Sequence, residues 1–141
     1  MSEPFRITRR VEFGETDQAG IVHFSNFFRY MESAETAFLR SRGLSVSWKS
    51  ATGERFGFPR VSASCDYVVP ARFEDLLTIE VEIERIGSKS VTYRFGFFRD
   101  GQKLATGKIT SVFCRKSGDD QIESLDLTDE IRKQLAGSIG E

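Results

Sequence analysis

His23 is the only histidine among the 141 residues. That count removes His-ligated metal clusters and most Ser-His or Cys-His chemistry unless His23 itself takes part. Acid-base or nucleophilic work must therefore lean on carboxylates. One carboxylate stands out by its setting. Asp17 lies in the polar loop Gly14-Glu15-Thr16-Asp17-Gln18-Ala19-Gly20, which leads through Ile21-Val22-His23-Phe24 into a helix that starts at Ser25 or Asn26. The first amides of a helix lack intrahelical partners. Together with the positive end of the helix dipole, they favour negative charge and can polarise a carbonyl oxygen. A carbonyl held there turns its carbon toward Asp17, which can attack it directly or act as base for a water. The donors would be main-chain N–H groups near His23 and Phe24, and Gly20 keeps the backbone path open. The plainer role for Asp17 is an Asx-turn, with the side chain bonded to a loop amide two residues on.

Three groups of residues must position such a site. A first strand over 5–13 places Phe5, Ile7, Val11 and Phe13 on one face. The helix runs to Gly43, a natural left-handed stop. On it Phe27, Tyr30, Met31, Ala34, Ala37 and Phe38 share a side that Phe28 and Leu39 widen to roughly 200° of arc, so the helix must be wrapped rather than laid on a flat surface. Glu35 sits on the flank of that arc, either paired with an arginine or near a seam between subunits, while Glu32 faces outward. After a connecting stretch through Trp48 and the 53–57 turn come four strands, over 60–69, 76–86, 90–99 and 103–115. The breaks are Pro70-Ala71, Gly87-Ser88 and the hairpin signal Asp100-Gly101. Ile79, Val81 and Ile83 alternate with Thr78, Glu80, Glu82 and Glu84, whose charges need Arg94, Lys108, Arg6 or Arg10 across the sheet. A Ser117-Gly118-Asp119-Asp120 turn and a short helix capped by Thr128 close the chain.

The expected fold class is α+β, one long helix wrapped by a curved five-stranded antiparallel sheet in a single domain over 1–141. Open sheet edges in such a layout argue for pairing of copies, hence a homo-oligomer. Lys plus Arg number 20 against 21 Asp plus Glu, for a net charge of -1. No block of like charge marks a nucleic-acid arm, so a nucleic-acid partner is not expected. Hydrophobic residues make up 39%, and 13 of the 17 aromatics are Phe, enough for a core without disulfides or metal. Cys65 and Cys114 are far apart in apolar runs and read as reduced core residues. Without a signal-peptide core or a run of about 18 apolar residues, the expectation is a cytoplasmic protein with no membrane partner.

The run Val11-Glu12-Phe13-Gly14-Glu15-Thr16-Asp17-Gln18-Ala19-Gly20-Ile21-Val22-His23-Phe24-Ser25-Asn26-Phe27 resembles the entry motif of the hot-dog-fold acyl-CoA thioesterases, specifically the 4-hydroxybenzoyl-CoA thioesterase family. The shared features are an aspartate, a Gly-hydrophobic-hydrophobic step and an aromatic-rich helix start. The resemblance continues in Pro70-Ala71-Arg72-Phe73-Glu74-Asp75 and in Lys89-Ser90, and covers the chain to about Arg115. It implies a hot-dog fold and hydrolysis of an acyl-CoA thioester to free acid and CoA, with Asp17 as nucleophile or general base and no metal or prosthetic group. It further implies substrate contacts at Gly20, Val22, His23, Phe24 and Phe27, and assembly as a homodimer or homotetramer. Trp48 resembles a tryptophan near the acyl pocket of one member, and Glu32 an acidic position common in the family. Lys89 and Ser90 fall where members bind coenzyme A phosphates, but with one cation in place of a basic triplet. That leaves room for acyl carrier protein, which presents its thioester on the same arm without the adenosine phosphates. Some members carry histidine or tyrosine where this chain has Phe24, a side chain that neither donates nor titrates. Two rivals stand beside this reading. A hydratase or dehydratase of the same fold needs a paired His and acid, and a non-catalytic acyl-thioester binding module would use the same pocket.

Overall fold

The structure, a computed structural model, describes residues 4–118 and 121–137. Its centre is helix α1 (Asn26–Ser41), which buries Phe27, Tyr30, Met31, Ala34, Glu35, Phe38 and Leu39, the wide arc expected from the sequence. Gly43, at φ +75°, ends it in the left-handed region, where glycine meets no steric penalty, and the Leu44 amide turns back to the Leu39 carbonyl at 2.8 Å.

Five antiparallel strands wrap the helix in the order β1-β5-β6-β7-β4. They are β1 (Phe5–Arg10), β4 (Arg60–Tyr67), β5 (Leu76–Ile86), β6 (Ser90–Arg99) and β7 (Gln102–Val112). Leu77, Ile79 and Val81 of β5, Tyr93, Phe95 and Phe97 of β6, and Leu104 and Ile109 of β7 form the sheet's share of the core. The helix lies so close to β7 that a β-carbon on Gly107 would overlap the Met31 thioether. On the outer face the glutamates of β5 find the expected cations: Arg6 with Glu80 at 2.8 Å, Lys108 with Glu84 at 2.8 Å, and Arg94 with Glu82 and Glu84 at 3.8 and 3.9 Å. Arg10 instead donates to the Glu74 carbonyl. At one margin of the sheet β4 pairs only with β7, and Val61 and Tyr67 along it are exposed.

Two expectations need correction. The first strand stops at Arg10, so Phe13 falls in a 3-10 turn (Phe13–Glu15), 74% exposed, with its ring edge-on to Phe73. The inward place after Ile7 goes to Arg9, whose guanidinium has a carboxylate partner beneath the sheet. The last long strand also breaks earlier than the expected 103–115. The Phe113 amide bonds the Lys89 carbonyl, and its ring stacks on Trp48, 5.9 Å between centroids. The chain beyond enters a second sheet of three-residue strands, β2 (Ser47–Lys49), β3 (Arg55–Gly57), β8 (Cys114–Lys116) and β9 (Ile122–Ser124), ordered β2-β3-β8-β9. Helix α2 (Asp129–Ala136) follows, with the Thr128 hydroxyl accepting from the Ile131 amide. Of the expected turn before β9, Asp119 and Asp120 lie outside the described residues. Cys65 and Cys114 are free thiols, and burial pushes Cys65 up to about 11.

Candidate active site

The loop bearing Asp17 is pinned at both ends. Thr16 and Val22 form a lone antiparallel bridge, the Asp17 amide donates to the Ile21 carbonyl at 2.8 Å, and the Gly20 amide donates to the Asp17 carbonyl at 2.9 Å. Gly20 stands at φ +81°, which a residue with a β-carbon adopts only under strain. The Asp17 side chain makes the Asx-turn: Oδ1 accepts from the Ala19 amide at 2.9 Å. Its other oxygen, Oδ2, has no hydrogen-bond partner among the described residues. One carboxylate thus carries the structural role on one oxygen and leaves the second available.

From this loop the chain enters α1 with its amides unevenly used. The Val22 amide donates to the Ala71 carbonyl and the His23 amide to the Glu15 carbonyl, at 2.8 and 2.9 Å. The Ser25 amide is occupied by His23 Nδ1 at 3.3 Å, and the Ser25 hydroxyl bonds the same nitrogen instead of capping the helix. Between them the Phe24 N–H has no acceptor among the described residues. Its carbonyl, by contrast, accepts from the Tyr67 hydroxyl at 3.0 Å and from the Phe27 amide. The one spare amide at the mouth of the helix therefore belongs to Phe24, inside the pair expected from the sequence.

Asp17 and Phe24 line a cavity of about 310 Å³ whose other walls are mostly apolar, among them Val22, Phe27, Tyr67 and Ala71. Phe27 meets Tyr67 and Phe97 edge-on, each at 5.1 Å between centroids. An apolar chamber lined by a residue with a spare carboxylate oxygen and a residue with a spare main-chain donor has the groups needed to hold an acyl group, polarise its carbonyl and attack its carbon directly or through a water. Among the described residues there is no cluster of three or more His, Cys, Asp or Glu fit to hold a metal ion.

Of the residues expected at the site, Asp17, Val22, Phe24 and Phe27 are brought together around this cavity, and Gly20 shapes the loop. His23 is exposed, its ring stacked on Phe24 at 4.6 Å and outside the cavity lining. Trp48 stands elsewhere, with Phe56 and Phe113 along a larger cavity of about 830 Å³ between the second sheet and α2. Ser90 opens β6 with Lys89 just ahead of it, and the strand's far end, Arg99, reaches the Pro70 carbonyl beside the cavity. Strand β6 is ten residues long, roughly 30 Å from end to end at the usual rise per residue. The Lys89 ammonium is paired with Asp126 at 3.2 Å. Glu35 is fully buried and takes the arginine option: Arg60 donates to it through Nε at 2.9 Å, with Ser111 at 3.2 Å. Burial pushes its carboxyl above the ordinary range, against the pull of Arg60 and Ser111. Glu32 shares the same arginine at 3.3 Å. Sequence reasoning missed Tyr67, which arrives from a strand 43 residues beyond the Phe24 it bonds. It also missed Glu15, whose place two residues ahead of Asp17 was the only available hint.

A helix wrapped by a curved antiparallel sheet, with a carboxylate and a free amide at the helix mouth, defines a hot-dog protein equipped for acyl chemistry. The thioesterase superfamily model matches residues 19–106, and the chain belongs to that family of enzymes. It is 35% identical over 126 residues to the 4-hydroxybenzoyl-CoA thioesterase of a Pseudomonas species, covering 84% of this chain and 89% of that one. To a 1,4-dihydroxy-2-naphthoyl-CoA hydrolase of Prochlorococcus marinus it is 31% identical over 112 residues, covering 75% and 72%. Among solved structures, a protein of Aquifex aeolicus superimposes with a TM-score of 0.80 at 27% identity, covering 94% of this chain and 99% of that one. No helix among the described residues is long and apolar enough to cross a membrane.

Proposed function

We propose that this chain hydrolyses an acyl-CoA thioester to the free acid and CoA in the Asp17 cavity. The observation that carries the reading is the pairing, along one apolar cavity, of a carboxylate and a main-chain amide, those of Asp17 and Phe24, of which one oxygen and the N–H have no partner among the described residues. The acyl group lies against Phe27 and Tyr67, and its carbonyl oxygen takes the Phe24 N–H at the positive end of α1, where negative charge develops as the carbonyl carbon becomes tetrahedral. Two routes then serve. Asp17 adds to the carbon, the C–S bond breaks with the electron pair leaving on CoA sulfur, and water opens the resulting anhydride. Alternatively Asp17 takes a proton from a water that adds to the same carbon, and the collapsing intermediate expels the CoA thiolate. Both consume one water and yield acid and thiol. The sequence relationship to two CoA-thioester hydrolases supports this chemistry. The test is thiol release by the pure protein across a panel of aryl and alkyl CoA thioesters. Saturable turnover of at least one supports the reading, and none across the panel points to a binding module.

The catalytic unit in this proposal is a homo-oligomer. The outer margin of β4 and the exposed Val61, Tyr67 and Val68 beside it suit a second copy, and Tyr67 and Val68 also line the Asp17 cavity, so pairing there covers the site. Lys89 and Ser90 stand at the opposite end of β6 from the Asp17 cavity, so in this proposal the CoA they contact is one held at a partner's Asp17. One observation favours a second reading. Lys89 is already engaged by Asp126, which suits a carrier without adenosine phosphates, such as acyl carrier protein. Equal kcat/KM for acyl-CoA and the matching acyl-pantetheine would favour that carrier.

A further inference from the structure

The loop that separates Asp17 from the Phe24 amide contains a glycine and is held by its neighbours, so the distance between the two groups depends on what anchors its ends. Glu15 anchors both. Its carbonyl accepts the His23 amide at 2.9 Å and the Asn26 side-chain amide at 2.8 Å, tying the chain before Asp17 to the first residue of α1. That contact also occupies the His23 N–H and leaves the Phe24 N–H as the free one. The carboxylate is held just as firmly on the other side. Oε2 takes Arg9 of β1 at 2.7 Å, and Oε1 takes the Tyr30 hydroxyl of α1 at 2.9 Å and the Glu12 amide at 2.8 Å. Arg9 lies over the Tyr30 ring at 5.0 Å and also reaches the Ser33 hydroxyl. The Glu15 side chain is only 14% exposed, and Tyr30 is fully buried. Burial and the neighbouring Glu15 charge push the Tyr30 phenol well above its ordinary range, so it stays a donor at any working pH.

We infer that Glu15 is a positioning residue for the Asp17 site: its carboxylate, clamped between Arg9 and Tyr30, fixes the carbonyl that sets the Phe24 amide against Asp17. The inference rests on the reading of Asp17 given above. Both oxygens of the clamp accept, so an amide cannot replace it. Glutamine would turn an NH₂ toward either Arg9 or the Tyr30 and Glu12 donors, and one side of the clamp would open. Glu15 has no contact with the cavity, so its loss acts through geometry alone.

The test is steady-state kinetics of Glu15→Gln and Tyr30→Phe beside wild type and Asp17→Asn, with Tm measured for each. Because a misplacement on the order of 1 Å at the reacting centre can cost about 100-fold, Glu15→Gln is expected to lower kcat about 10- to 100-fold with KM held within about threefold. Tyr30→Phe opens one arm and is expected to lower kcat by about 3- to 10-fold, again at constant KM. A fold-only role would show as a lower Tm with kcat of the folded enzyme intact, and that result overturns the inference, as does a rise in KM alone. If Glu15→Gln does not fold, Tyr30→Phe decides, and kcat within about twofold of wild type refutes the clamp. If Asp17→Asn stays active, the reading of the site falls and takes the clamp with it. If Asp17→Asn is inactive while both clamp variants match wild type, the clamp alone is wrong.

Discussion

Phe24→Pro, compared with Phe24→Ala, isolates a single main-chain donor. Proline deletes the N–H, while alanine keeps it and removes the same ring, so the difference between the two reports the amide. That amide has no acceptor among the described residues, so its deletion breaks no hydrogen bond seen there, and Phe24 precedes the N-cap Ser25, so proline at this position interrupts no intrahelical bond. The common change is loss of an exposed phenyl ring that stacks on His23 and forms part of the cavity rim; Phe24→Ala should therefore cost under about tenfold in kcat by analogy with other non-reacting wall residues. Removing one preorganised oxyanion donor typically costs about 10² to 10³ in kcat, roughly 3 to 4 kcal/mol of transition-state stabilisation. The expected order is wild type, then Phe24→Ala, then Phe24→Pro lower by a further 100-fold or so, with Tm of the two variants within a few degrees. The assay is thiol release at saturating acyl-CoA. If Phe24→Pro turns over within about threefold of Phe24→Ala while folded, the Phe24 N–H does not bind the developing oxyanion.

His23→Ala should lower kcat by less than about tenfold, since its ring bonds Ser25 and is not part of the cavity lining; a loss matching that of Asp17→Asn would make the imidazole a catalytic partner. Lys89→Glu should raise KM for acyl-CoA several-fold at unchanged kcat, by about 1 kcal/mol that fades with salt, and leave acyl-pantetheine kinetics alone; indifference of acyl-CoA as well makes Lys89 a surface lysine held by Asp126. Glu35 carries a pH signature. Its folded carboxyl titrates above the unfolded value of 4.5, so the stabilisation it contributes is complete below that value and is lost as pH rises through the folded one. Tm followed from acid to neutral pH should show this decline in wild type and lack it in Glu35→Gln, where Arg60 keeps Glu32 as partner; identical pH profiles would refute the assignment.

The long elements were legible because their periodicity spans many residues. Helix α1 was expected to start at Ser25 or Asn26 and starts at Asn26, β5 and β6 run over the expected 76–86 and 90–99, and Thr128 caps α2. The second sheet was not legible, because strands of three residues are too short to show a period, and aromatic stacking around Trp48, Phe56 and Phe113 holds them instead. Phe13 looked like a core residue by alternation, and the alternation does hold through the fully buried Val11, but the strand ends at Arg10 and the 3-10 turn that follows carries Phe13 out to solvent. At the site, the contiguous part was readable: Asp17, Gly20, Val22, Phe24 and Phe27 lie within eleven residues. Tyr67 and Ala71 reach the cavity through sheet topology, which spacing along the chain does not encode. The placement of Lys89 and Ser90 at the opposite end of β6 from the Asp17 cavity likewise follows from strand direction, which spacing along the chain does not encode.

The central claim is that the free oxygen of Asp17 does the chemistry. Asp17→Asn is the sharpest measurement, because asparagine retains the acceptor that the Ala19 amide needs and so keeps the turn, yet can neither attack nor take the proton. The account predicts that kcat falls by about 10² or more, while acyl-CoA still binds with an affinity near the wild-type KM. A variant that folds and keeps more than about a tenth of wild-type kcat would contradict it.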